Sequence, residues 1–345
     1  MTAPLVRKFY VFPVLFFFLS PVSAQEITGE LVLYAYRYAY PEKVSAVAWS
    51  GEDWTITVGG ETFYWAQGRL LPLPLRDKWE SYGPHGYYRY PSEIPDPRRL
   101  APEQVERLRT QGSAEARLSR IDHNNAFEAA LYGGGTRAAV ERNLKKITFL
   151  GHEITVHKLI VEPLGRVEER IREAAAGDKE IEAFLPSISY LGGYNWREIQ
   201  GTQRRSYHSW GLAVDIQPKQ LGNKAIYWQW ERERNENWML VPLERRWQPP
   251  EGVIRIFENE GFTWGGKWAL YDTMHFEFRP ELHEINRLLA QKAADREISA
   301  SQTAPELRRL FPRSLPAPQK TGPIKRLLQF LNAVLYPDGF SRPGL

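Results

Sequence analysis

The sequence has no cysteine. That excludes disulfides, thiolate metal sites and a lipid-anchoring cysteine near the N-terminus. Any metal would have to be held by His, Asp or Glu. Blocks of one charge are also missing. Net charge is +4 and no Lys/Arg run stands out, so a nucleic-acid partner is not expected. Beyond the first 24 residues no segment approaches the roughly 18 apolar residues of a membrane span. The mature chain is therefore expected to carry no stable membrane span. No internal repeat is visible.

What is present is globular in character. Hydrophobic residues make up 43% and charged residues 25% of 345, enough for one large or two modest domains. The 12 Trp and 17 Tyr suggest an aromatic-rich core or ligand grooves, the core being the plainer explanation for any single ring. Residues 1–24 read as a signal peptide. Arg7 and Lys8 form its basic start, an apolar run follows through Phe16-Phe17-Phe18 to Leu19, and Val22-Ser23-Ala24 supplies the small residues before a cleavage point. The protein is thus expected to be exported, to the periplasm or the medium. An uncleaved segment would instead anchor it.

Periodicity divides the rest. Residues 25–160 read as a β-rich region with helices. Leu31–Tyr36 and Trp54–Val58 are β-branched and aromatic runs, and Gly59-Gly60 separates the second from Thr62–Trp65 as in a hairpin. Residues 72–98 read as an irregular connection and 101–145 as helical. A strand pair is expected at 146–150 and 153–158, and a helix at 164–185. Residues 188–278 read as strands and loops, followed by a helix over 281–294. Residues 161–296 form the expected catalytic domain, with its motifs within 186–280. Residues 297–345 form a tail with an amphipathic stretch at Ile324–Leu335.

Two clusters carry chemistry. In Leu212-Ala213-Val214-Asp215-Ile216 the strand alternation points Asp215 away from the apolar side chains, beside small Ala213. A carboxylate within an apolar strand is costly unless paired or bound to a cation. His208 lies just upstream, with Gly211 permitting a tight turn between them. In Asp272-Thr273-Met274-His275-Phe276-Glu277, His275 and Glu277 share a face while Phe276 faces the core. Two His and one Asp suit a catalytic Zn²⁺ with an open fourth position. A further carboxylate is then needed as general base, with Asp272 the candidate and Glu277 the spare. His85, His123, His152, His157 and His283 read as structural or surface residues.

The stretch Ser206-Tyr207-His208-Ser209-Trp210-Gly211-Leu212-Ala213-Val214-Asp215 resembles the S-x-H-x-x-G-x-A-x-D signature of the D-alanyl-D-alanine carboxypeptidase family of zinc peptidases, peptidase family M15. That family also includes L-alanyl-D-glutamate endopeptidases. Asp272-x-x-His275-Phe276-Glu277 resembles the second half of the signature. The resemblance implies zinc held by His208, Asp215 and His275, with Asp272 as catalytic base and Ser206 among the substrate-binding residues. Tyr194-Asn195-Trp196-Arg197-Glu198-Ile199-Gln200-Gly201 is similar to a Y-x-x-R-x-I-x-G segment of related members. It implies that Arg197 grips a substrate carboxylate, with Arg204 and Arg205 as rivals. Asp at the base position, and Gly261-Phe262-Thr263-Trp264-Gly265-Gly266-Lys267-Trp268, resemble the endopeptidase-like subgroup.

The implied fold is α+β: a small antiparallel sheet with helices on one face carrying a zinc site, of the hedgehog/D-Ala-D-Ala peptidase-like kind. The implied partner is a peptidoglycan stem peptide. Alternatives are a D-alanyl-D-alanine carboxypeptidase and, in another class, a non-catalytic zinc- or peptidoglycan-binding module. The sequence departs from the compact family pattern at Lys219–Pro250, an insert rich in Trp and charge that reads either as a lid or substrate wall or as a solvated excursion.

Overall fold

A computed structural model describes residues 27–113, 122–197 and 204–310, with only the backbone for 296–310. The expected signal peptide, the stretch Ile324–Leu335 and residues 198–201 of the arginine-bearing segment lie outside the described residues. The chain divides into two units, Met1–Lys292 and Ala293–Leu345, and the site lies in the first. No helix among the described residues is long and apolar enough to cross a membrane.

The first element corrects an expectation. Leu31–Tyr36 is not a strand but part of helix α1, Gly29–Ala39. The Thr28 hydroxyl accepts the Leu31 N–H as N-cap, with Glu30 in the first turn and Arg37 in the last. Leu31, Val32, Leu33, Ala35 and Tyr36 are all buried. An apolar run covered on most sides shows no period, and here tertiary burial overrides the strand preference of its side chains.

Next comes an antiparallel meander of β1 (Val44–Trp49), β2 (Trp54–Val58), β3 (Glu61–Ala66) and β4 (Arg69–Pro72). The β2–β3 hairpin turns at Gly59-Gly60 as the sequence led us to expect. Within 101–145 the structure has helices α2 (Pro102–Gln111), α3 (Ala126–Tyr132) and α4 (Arg137–Glu141). The next strand pair is β5 (Leu144–Phe149) and β6 (His152–His157), slightly earlier than expected. The helix expected at 164–185 is two helices, α5 (Val161–Ala175) and α6 (Lys179–Ser187), because the Asp178 carboxylate caps a new start at Glu180 and Ile181.

The sheet that matters most is antiparallel, in the order β7–β8–β10–β9: β7 (Ile188–Gly192), β8 (Ala213–Pro218), β10 (His275–Phe278), β9 (Phe262–Trp264). Helix α7 (Tyr207–Trp210) is a single turn before β8, and α8 (Trp228–Arg232) lies in the insert. Helix α9 (Glu251–Asn259) packs against the sheet, stacking Phe257 on Phe276 at 4.1 Å. The final helix is α10, Pro280–Leu310. One apolar face of the sheet (Val214, Ile216, Phe276) thus meets helices, and Asp215, His275 and Glu277 occupy the other. Residues on both sides of position 160 share one core, from Leu31 and Phe127 through Leu164 to Phe276 and Leu289.

The insert is not a solvated excursion. Ala225, Trp228, Trp238, Met239 and Val241 form a second small core with Tyr271 and with Leu108 of α2. Trp228 and Trp238 meet at 4.8 Å, and the Arg246 guanidinium lies 3.9 Å from the Tyr271 ring centre. Burial pulls the Arg246 pKa down to about 10.

Candidate metal centre

His208 is placed by its backbone. The Ser206 hydroxyl accepts the His208 N–H at 3.3 Å as N-cap of α7. The helix ends at Gly211, whose φ of +69° favours glycine. A Cβ there would lie 2.8 Å from the His157 nitrogen, and that N–H donates to the Gly211 carbonyl at 2.8 Å. The chain therefore turns sharply against β6 and enters β8. On β8, Asp215 stands directly opposite His275 of β10, and Ala213 opposite Glu277. The small side chain leaves room for the glutamate.

Three atoms converge. His208 Nε2 lies 3.1 Å from Asp215 Oδ1 and 3.2 Å from His275 Nδ1, and His275 Nδ1 lies 2.9 Å from Asp215 Oδ1. Among the described residues these three form the group able to hold a metal ion. The outer ring nitrogens are occupied. His208 Nδ1 donates to the Gly193 carbonyl at 2.7 Å, and His275 Nε2 faces Glu277 Oε2 at 3.2 Å. Such partners fix each tautomer and leave the inner nitrogens as lone-pair donors.

The residues fit a cation. Burial opposes charge on His275, yet its bonds to Asp215 and Glu277 hold its pKa up at about 10. Burial would raise the Asp215 carboxyl, but His208 and His275 hold it well below the usual carboxylate range. Burial likewise opposes the Glu277 carboxylate, while His275 and Arg279 pull it down to about 2. A buried imidazole so drawn to a proton marks a place where the surroundings demand positive charge, and a metal ion would displace that proton. The triangle edges of 2.9–3.2 Å sit close to the roughly 3.3 Å set by tetrahedral bonds of about 2.05 Å.

Asp272 lies three residues before His275. Its Oδ1 is buried without a hydrogen-bond partner among the described residues. Burial, then the Asp215 charge, push its pKa up to about 7. The backbone around it is held by the insert. Trp228 N–H donates to the Tyr271 carbonyl at 3.0 Å, Thr273 N–H to the Ile226 carbonyl at 2.8 Å, and Asp272 bridges to Tyr227. Asp272 N–H donates to the Gly265 carbonyl, where a Cβ would lie 2.4 Å from the Asp272 carbonyl oxygen. The glycine pair of the W-G-G stretch thus permits close approach to the candidate base.

Arg197 is exposed, and its charge reaches Asp272 and lowers that carboxyl's pKa. Arg205 is engaged elsewhere, donating to the Gly135 carbonyl at 2.6 Å with its guanidinium over Trp196 and Trp210. The charge of Arg204 acts on Glu277, Glu128 and His123. The remaining histidines have structural surroundings. His157 bonds the Tyr132 carbonyl, His283 the Phe262 carbonyl, and His85 pairs with Glu128 at 2.9 Å.

Sequence reasoning missed Glu277 as the partner orienting His275, together with the Gly193 carbonyl and the insert's hold on Asp272. The signal for Glu277 was present: charged residues at 275, 277 and 279 alternate with buried Phe276 and Phe278.

These groups define a class first: a His/Asp/His centre, both histidines buried and Asp215 half-buried, beside an acid one of whose oxygens has no hydrogen-bond partner among the described residues. Residues 200–278, which span both motifs, match the family model described as D-alanyl-D-alanine carboxypeptidase. Residues 32–86 match a second model, described as a domain of unknown function. No curated protein and no solved structure matches the chain.

Proposed function

We propose that the protein is an exported zinc metallopeptidase that hydrolyses peptide bonds in peptidoglycan stem peptides, as an L-alanyl-D-glutamate endopeptidase does. The observation that carries this reading is the convergence of His208, Asp215 and His275 within 3.2 Å beside the unpartnered Oδ1 of Asp272. Zinc bound by the three residues would supply Lewis acidity, polarising a peptide carbonyl and easing proton loss from water. Asp272 takes the proton from water at Oδ1 and returns it to the leaving amine. A pKa raised to about 7 without metal, and brought down by a bound cation, suits a base at neutral pH. Arg197 holds a substrate carboxylate at the exposed side, and Ser206 shapes the floor by fixing the turn that carries His208. The leader at 1–24 supports action outside the cytoplasm.

The test is mass spectrometry of purified muropeptides incubated with the protein and zinc, beside Asp272→Asn. A zinc-dependent split after L-Ala, absent from the variant, is the expected result. Loss of one terminal alanine would instead make it a D-alanyl-D-alanine carboxypeptidase. Zinc binding with no product from any muropeptide would favour a binding module.

A further inference from the structure

A line of buried charges leads away from His275 into the N-terminal region. Glu277 faces His275 Nε2 with Oε2, and its Oε1 lies 3.2 Å from an Arg279 guanidinium nitrogen. Arg279 Nε donates to Glu281 Oε1, and its remaining nitrogen donates to the Gly86 carbonyl at 3.3 Å. The other oxygen of Glu281 accepts the Tyr40 hydroxyl at 3.3 Å. The side chains of Arg279 and Glu281 are 3% and 0% exposed. Tyr40 directly follows α1, and Gly86 ends the segment matched as a domain of unknown function. Neither lies in the peptidase segment.

We propose that Arg279, Glu281 and Tyr40 are positioning residues, through which the N-terminal region sets the orientation and tautomer of the metal ligand His275. This rests on the reading of the triad as a zinc site. A carboxylate that faces Nε2 puts the proton there and leaves Nδ1 as the donor aimed at Asp215 and His208. That carboxylate is held only if its second oxygen is also engaged, and Arg279 engages it. Arg279 in turn is fixed by two acceptors, one a main-chain carbonyl of the N-terminal region. Buried ion pairs stabilise poorly compared with apolar packing. Three buried charges that end on the outer nitrogen of a metal ligand are therefore better explained by holding that ring than by stability. On this account residues 25–160 do more than brace the peptidase segment: they supply part of its metal centre.

The experiment uses the full chain, with zinc affinity measured by chelator competition, the visible spectrum of the Co²⁺-loaded protein, and melting of the metal-free protein. The variants are Glu277→Gln, Arg279→Lys and Tyr40→Phe. The expected result is graded. Zinc affinity falls about 10–100-fold in Glu277→Gln, about tenfold in Arg279→Lys and about threefold in Tyr40→Phe. The Co²⁺ bands shift in the first two, and the metal-free melting of Tyr40→Phe stays near the parent's. Tyr40→Phe keeps the ring and loses one hydroxyl, so it remains informative if a charge variant fails to fold. Lower melting temperatures with unchanged zinc affinity and unchanged Co²⁺ bands would overturn the relay and leave the zinc reading intact. A parent chain that binds no zinc would overturn both.

Discussion

Two histidine groups, one buried around His275 and one half-buried around His123, lie in the same unit and behave in opposite ways. Around His275 stand Asp215 and Glu277, and its pKa is held up at about 10 against burial. Around His123 burial acts with Arg204 and His85, and its pKa is pushed down to about 4. His85 is paired with Glu128 at 2.9 Å, so a carboxylate is present there too. Burial has the same sign in both places; the balance of neighbouring charge differs. His275 draws in positive charge and His123 expels it. Histidines near carboxylates are therefore not enough for a metal centre, and the lone-pair nitrogens must also converge.

The strongest test of this contrast removes histidines from each group. His208→Ala should lower zinc affinity by more than the roughly 10–100-fold lost when an outer hydrogen-bond partner is removed. His85→Ala with His123→Ala should leave zinc stoichiometry at the parent value. Equal losses in chelator competition would break the comparison.

Asp272→Asn separates binding from turnover. The rate of muropeptide cleavage should fall about 10²–10⁴-fold while bound zinc, read by elemental analysis, is unchanged. Retained cleavage would move the base to another residue.

The insert offers a further contrast, since its core is apolar where the metal centre is charged. Trp238→Ala should cost about 3–5 kcal/mol in denaturant unfolding, because it removes one of the two buried tryptophans of that core. It should also lower cleavage, through the loosened backbone around Asp272, without lowering zinc affinity as His208→Ala does.

The smallest effect is a pH dependence. His123 has a folded-state pKa below the ordinary 6.5. Its contribution to stability is whole above about 6.5 and is lost as pH falls through about 4, because the unfolded chain takes the proton first. With solvent at the ring edge, about 1–2 kcal/mol is at stake. His123→Gln should shed less stability between pH 7 and 4 than the parent, measured by urea titration. A steeper loss in the variant would mean that the charged neighbours do not depress His123.

Much of the centre was legible in the order of residues. Period-two alternation put Asp215, His275 and Glu277 on the faces where the structure has them, and it put Phe276 in the core. Gly211 marked a turn whose positive φ the structure contains. The hairpin at Gly59-Gly60 needed only local chemistry. These features depend on neighbours within a few residues, and the sequence by itself determined them. It also carried the resemblance that the family model matches over residues 200–278, through motifs 57 residues apart between Asp215 and Asp272.

Tertiary structure decided the rest. Leu31–Tyr36 became a helix because packing on most sides outweighs strand preference. The insert's role turned on Trp228 and Trp238 finding Leu108, which lies more than a hundred residues earlier. Glu277 faces His275 with one oxygen and Arg279 with the other, and Arg279 is itself held by Gly86 and Glu281. Such contacts join residues far apart in the chain. Their energies depend on burial and on the sign of surrounding charge, and neither exists until the chain has folded.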